Sequence, residues 1–249
     1  MKKLMLALVL IGIAITNSYP QKSKFYGSGS AEINISYASI HCFDNSEGSL
    51  IRFAPVLNLQ GLANYDLSNT VGFFTGCGIQ NVGFIYEPPD DHVTMKYRSY
   101  TLGIPLGFKF GKLDYMFLFG GYEIEFPFHY KEKKFEMESK EVFTEWFSAR
   151  VTPVQHSIMA GMQFPYGIVL KFKYYVTNFL NKDFVEYIDA EAFKPYENLN
   201  SNIFLVSVSW NLFTDFKAYK HRDYYEKTLS WDEQPLVVTN RPVSNTEKH

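Results

Sequence analysis

Beyond its first fifteen residues this 249-residue chain has no long apolar run. Nowhere does it approach the roughly 18 consecutive apolar residues that a membrane-spanning helix requires, which excludes a helical membrane bundle. Cysteine is nearly absent. Cys42 and Cys77 are the only two, too few for a disulfide framework. An excess of one charge is lacking too: 24 basic and 26 acidic side chains give a formal net charge of −2. Such a chain carries no basic field for nucleic acid, so no nucleic-acid partner is expected. The N-terminal apolar stretch is followed by no small-x-small triplet to mark a cleavage point, and by no cysteine to carry a lipid anchor.

What the chain does have begins at that same end. Lys2 and Lys3 precede an apolar run from Leu4 to Ile15, which gives way to Thr16, Asn17 and Ser18. That is the layout of a cleavable secretory signal peptide, too short to span a bilayer as a helix. Aromatic residues are abundant, 18% of the chain with 23 Phe and 18 Tyr, yet the mean hydropathy is only −0.16. A wall of strands whose residues face lipid and interior alternately averages out in this way.

The period-two alternation supports that reading. Between Tyr97 and Phe110, the residues Tyr100, Leu102, Ile104, Leu106, Phe108 and Phe110 fall on one face. Ser99, Thr101, Gly103, Gly107 and Lys109 fall on the other, and a helix would scatter both sets. The same division opposes Ile51, Phe53, Leu57 and Leu59 to Arg52, Asn58 and Gln60. It opposes Ile168, Leu170, Phe172 and Tyr174 to Lys171 and Lys173, and Ile33, Ile35 and Tyr37 to Glu32, Asn34 and Ser36. Phe204, Val206, Val208, Trp210 and Leu212 oppose Ser207, Ser209 and Asn211, with Phe213 out of register. Around Gly120-Gly121 the parity moves from Tyr115, Phe117 and Phe119 to Tyr122, Ile124 and Phe126, which predicts a bulge there, with another slip near Pro153.

Short and long connections alternate strictly. Residues 66–69, 111–114 and 165–167 are tight turns; residues 41–49, 87–95, 131–145 and 181–201 are longer polar loops. Three turns and four loops predict an all-β, closed antiparallel transmembrane barrel of about eight strands, with short periplasmic turns and longer extracellular loops. Tyr65, Phe110, Tyr115, Tyr166 and Trp210 cluster near the turns, and Tyr86, Tyr97, Phe128, Tyr130, Trp146 and Phe147 near the loops. These two sets predict aromatic girdles at the two interfaces. An eight-stranded barrel is filled by side chains, so large interior candidates such as Gln60, Tyr97, Glu125 and Lys173 predict no open pore. The organisation expected is a signal peptide over 1–20, a barrel over 21–213, and a periplasmic, partly disordered tail over 214–249. In that tail Lys217, Lys220, Arg222, Asp223, Glu226 and Lys227 are interleaved with Tyr219, Tyr224 and Tyr225.

The segment Leu102-Gly103-Ile104-Pro105-Leu106-Gly107-Phe108-Lys109-Phe110 resembles the Leu-x-Ile-Pro-Leu-x-x-Lys-aromatic strand of PorT-like outer-membrane β-barrel proteins. That family commonly has Tyr before the Leu and Glu in the first variable position, where this chain has Thr101 and Gly103. The resemblance implies a barrel fold and a role in protein secretion or envelope assembly.

Candidate chemistry is sparse. Glu123 and Glu125 share a strand face, as paired carboxylates for acid–base work would. The preferred expectation is a structural interior network in which Arg52 and Arg150 lie at the height of Glu123 and Glu125, with Glu32, Lys109, Lys171 and Lys173 near the periplasmic end. His156 and Ser157 suggest an esterase or lipid A deacylase, but adjacent strand residues face opposite ways and cannot pair. His41, Asp90, Asp91, His92 and His129 gather near the extracellular rim without a recognisable metal-ligand spacing. The expectation is therefore a non-enzymatic integral outer-membrane barrel without catalytic residues, cofactor or metal, acting as a scaffold or accessory in secretion or envelope assembly. Its expected partners are outer-membrane lipid and lipopolysaccharide, and envelope proteins met through the extracellular loops or the tail. A lipid-modifying barrel enzyme and a soluble lipocalin-like carrier are the alternatives. The carrier lacks its Gly-x-Trp signature here.

Overall fold

The computed structural model describes residues 25–42, 45–88, 93–136, 139–188 and 191–211. The signal-peptide and tail assignments, Leu212, Phe213, Asp90, Asp91 and His92 lie outside them. Strand β1 (Phe25–Cys42) is followed by the short β2 (Asn45–Gly48) and β3 (Arg52–Ala54), then by β4 (Leu59–Asp66) and β5 (Val71–Tyr86). The long pair β6 (Val93–Lys112) and β7 (Met116–Glu136) comes next, then β8 (Ser139–Trp146), β9 (Gln155–Gln163) and β10 (Ile168–Tyr175). A small hairpin of β11 (Glu186–Ile188) and β12 (Glu191–Phe193) precedes β13 (Leu199–Asn211).

Eight strand positions close on themselves in the order β1-β4-β5-β6-β7-β9-β10-β13, and β13 pairs back to β1 from Ser30–Asn211 to Cys42–Leu199. Every pairing in the ring is antiparallel, and each of its eight positions has a neighbour on both sides. β3 continues the β4 position along β1, and β8 continues the β9 position along β7. The three tight turns all lie at one end, between β4 and β5, β6 and β7, and β9 and β10. The longer connections lie at the other, here called the loop end.

Alternation decides what each wall residue meets. Ile33, Ile35, Phe73, Leu102, Ile104, Leu106, Phe108, Phe172 and Val208 are exposed on the outer surface, Leu106 at 64%. Their neighbours Glu32, Asn34, Ser36, Thr101, Lys109, Lys171, Lys173 and Ser207 are buried in the lumen. Over its turn-side half the barrel is thus apolar outside, and its lumen holds these polar and charged side chains together with the rings of Phe74 and Phe117. At the loop end the lumen is apolar. Phe84, Tyr97, Tyr130, Tyr175, Ile203 and Leu205 pack there with Val151, Phe179, Leu180 and Tyr196 from the loop-end connections. A bridge between Val151 and Leu180 and the bonds Thr152 N to Phe179 O (3.1 Å) and Phe179 N to Ser201 O (2.9 Å) tie those connections across the mouth.

Three expectations are corrected. Tyr86, Tyr97 and Tyr130 are buried in this loop-end core and form no part of a girdle. Phe128, Trp146 and Phe147, joined by Tyr100 and His129, remain as the aromatic set on the outside. No bulge forms at Gly120-Gly121: β7 keeps one register with β6 and β9 through both glycines, and Phe117 and Phe119 turn inward. The lumen accepts these rings because glycines face them: a Cβ on Gly161 would strike the Phe119 ring, and one on Gly107 the Phe74 ring, which meets Phe119 edge-on at 5.9 Å. The register shift lies instead at Tyr100/Thr101, opposite Pro127 and His129. Finally, residues 131–145 are largely a β-ladder, not a loop, since β7 and β8 pair from His129–Trp146 to Glu136–Ser139.

The β3–β4 segment is broken, not continuous. Pro55, which has no N–H, and Leu57, at a φ of +60°, interrupt it. Side chains replace the missing ladder beside β5. Asn58 Nδ2 donates to Ala54 O (2.8 Å), and Asn58 Oδ1 accepts from Asn81 N (2.8 Å). Ser36 Oγ donates to Gly83 O (2.7 Å).

Candidate functional site

The charged groups of the lumen are the chemistry on offer, and strand alternation puts them there. β7 contributes Glu123 and Glu125, β10 contributes Lys171 and Lys173, β6 contributes Lys109, and β1 contributes Glu32. Lys173 Nζ lies 2.7 Å from Glu123 Oε2 and 2.5 Å from Glu125 Oε1, with all three side chains wholly buried. Lys173 also donates to Gln80 Oε1 (2.9 Å), while Tyr175 and Thr101 donate their hydroxyls to the two oxygens of Glu125 (2.7 and 2.5 Å). Lys171 holds both oxygens of Glu32, at 2.8 and 2.9 Å. Towards the turns, Lys109 donates to Asp66 (2.7 Å), Tyr26 (2.8 Å) and Asn64 (3.1 Å).

The structure therefore gathers six of the eight candidates into three separate buried clusters. Arg52 and Arg150 join none of them. Arg52 donates to Asn81 Oδ1 (2.5 Å) at the β3–β4 break. Arg150 sits at the loop end, bound to Glu186 (2.5 Å) and Tyr196 (3.1 Å). The sequence reading missed Tyr26, Asn64 and Asp66 as the partners of Lys109, although Asn64 and Asp66 share the parity of Gln60 on their strand. It also missed Gln80, Thr101 and Tyr175 around Lys173.

This arrangement can neutralise buried charge, as a lumen short of water demands. It does not bring His156 and Ser157 together. Ser157 turns inward and donates to the backbone oxygen of Glu123 (3.4 Å). His156 turns outward, stacks on Tyr122 at 5.9 Å between ring centres, and shares a hydrogen bond between its Nδ1 and the Tyr122 hydroxyl. His129 packs edge-on against Trp146 at 4.7 Å on the outer wall. Among the described residues no three His, Cys, Asp or Glu side chains come together as metal ligands would. Met159 fills the lumen.

A closed antiparallel barrel, apolar on its outer wall and ion-paired within, belongs to the class of transmembrane β-barrels. The chain matches no protein-family model and no curated protein. Among solved structures it is similar to the attachment invasion locus protein Ail of Yersinia pestis in complex with the heparin analogue sucrose octasulfate, at 13% identity over 75% of this chain and 99% of that one, with a TM-score of 0.34. It is similar also to Neisserial surface protein A, at 12% identity over 76% and 98% of the two chains, with a TM-score of 0.37. A third is the N-terminal β-barrel domain of Pseudomonas aeruginosa OprF, at 13% identity over 74% and 99%, with a TM-score of 0.25.

Proposed function

We propose that this chain is an exported, non-enzymatic outer-membrane protein whose filled barrel serves as an anchor for its loop-end strands. The observation that carries the reading is the outer wall, where Leu102, Ile104, Leu106, Phe108, Phe172 and Val208 stand exposed on a closed barrel. In water such a surface would aggregate; in lipid it is the stable side of the sheet. The ion pairs around Lys173, in which Glu125 is further held by the hydroxyls of Thr101 and Tyr175, support a structural interior. The apolar packing at the loop end supports a plugged barrel, not a channel. The PorT-like strand from Leu102 to Phe110 favours secretion or envelope assembly as the process this anchor serves. Fractionation of cells expressing the full chain tests the assignment. The processed protein should sediment with the outer membrane and resist carbonate extraction; recovery in the soluble periplasm would refute it.

A further inference from the structure

Strands β6, β7 and β8 run well past the girdle formed by Tyr100, Phe128, His129 and Trp146, and their charges there are sorted by face. Lys96 stands directly across from Lys133, and Arg98 directly across from Lys131. Lys140 stands across from Phe135, next along the same face. This is the face that carries Leu102, Ile104 and Leu106 further down, because Tyr100, Arg98 and Lys96 continue their parity. The acids of the same strands, Glu132, Glu136, Glu141 and Glu145, take the opposite parity, as does Lys134, which pairs with Glu136 at 2.8 Å. Among the described residues none of the five outward cations has a carboxylate within ion-pair distance. Glu87, beside them, accepts the hydroxyl of Thr94 (2.9 Å).

Two successive like-charge pairs directly opposed across a ladder destabilise it, so they do not serve the fold. Aromatic rings hold the cations in place instead. Lys96 and Lys140 lie 4.9 and 5.9 Å from the centre of the Phe135 ring, and Arg98 lies 5.0 Å from that of Tyr100. Lys133 is held below the ordinary lysine range by partial loss of water and by the charges of Lys140, Lys131, Arg98 and Lys96. Along the strand direction the Arg98–Lys131 and Lys96–Lys133 rows stand roughly 7 and 13 Å beyond Tyr100.

We propose that this outward face binds the phosphates of a lipid headgroup in the leaflet at the loop end. The inference rests on the proposal that the barrel spans a membrane. From the barrel middle outward the wall presents acyl-compatible side chains, then aromatic rings, then cations that no carboxylate among the described residues neutralises. A phosphorylated lipid lying against it presents acyl chains, glycerol or sugar, and phosphate in that order. Charge complementarity and the unbroken apolar strip beneath the cations both select a lipid over a soluble polyanion, which would need no strip.

The full chain, folded in detergent micelles, is titrated with bisphosphorylated lipid A and with dephosphorylated lipid A, and bound lipid is counted by native mass spectrometry. Soluble sulfated polysaccharide forms a third arm. The phosphorylated lipid should bind about tenfold or more tightly than the dephosphorylated one. That preference should vanish when Lys96, Arg98, Lys131 and Lys133 are all changed to Gln, and persist in Lys134→Gln on the other face. Equal binding of the two lipids, persistence in the fourfold variant, or a soluble polyanion that binds as tightly as the phosphorylated lipid would overturn the proposal. Heat-modifiable mobility in gels, measured on the same samples, reports the barrel separately. Its absence from the unsubstituted protein would sink the membrane-barrel reading itself.

Discussion

Lys173 is the residue on which the lumen turns, because one ammonium there faces two carboxylates in a space closed to water. Removing one partner of a buried ion pair leaves an uncompensated charge, which destabilises by about 3–5 kcal/mol. Lys173→Met strands both Glu123 and Glu125 and should lose at least that range in reversible urea unfolding from lipid vesicles. Glu123→Gln leaves Glu125, still held by Thr101 and Tyr175, as the partner of Lys173, and should lose distinctly less. Equal losses would mean that the cluster is not organised around the ammonium. That Glu123, Glu125, Lys171 and Lys173 face inward is legible in the alternation alone. Which of them meet is not, because the relative height of distant strands depends on the stagger of the closed barrel. Arg52 shows the difficulty: the break at Pro55 and Leu57 offsets it from the register that an unbroken strand would impose.

At the scale of the element, the breaks and extensions matter most. Asn58 stands in for the ladder where β4 stops short of β3, and its side chain bonds to both Ala54 O and Asn81 N. Asn58→Ala leaves those buried groups without partners, a loss of about 1–3 kcal/mol for each. The Asn81 amide should then exchange its proton faster with solvent, and the protein should unfold at lower urea. Unchanged protection at Asn81 would show that the patch is incidental. Sequence alone marks the break only through Pro55. The β7–β8 hairpin is hidden for another reason. In Lys131-Glu132-Lys133 the two faces differ in the sign of charge and not in polarity, so a hydrophobic alternation has nothing to detect. The inward turn of Phe117 and Phe119 is likewise invisible, because a lumen lined by Gly107 and Gly161 takes aromatic rings that elsewhere mark the outer wall.

The whole molecule divides its interior by height and its exterior by depth. Charge pairs and the rings of Phe74, Phe117 and Phe119 share the turn-side lumen, an apolar plug fills the loop end, and an apolar strip outside separates the turn-side aromatics from those around Trp146. β6 and β7, at 20 and 21 residues, are about twice the 9–11 residues that cross a bilayer, which leaves their loop-end halves free to carry the cationic face. The claim beneath all of this is that the outer wall is solvated by acyl chains, and Leu106 tests it most directly. It lies midway between Tyr100 and Lys112 on β6, at 64% exposure. Leu106→Arg should destabilise the barrel by about 2–4 kcal/mol at the membrane midplane. Leu106→Ala, which removes bulk without adding charge, is the control. Both are compared by reversible unfolding from vesicles of increasing acyl-chain length. The account predicts an arginine penalty that exceeds the alanine penalty and grows with thickness, because a thicker bilayer lengthens the path by which the guanidinium reaches water. An arginine penalty no larger than the alanine penalty at every thickness would contradict it.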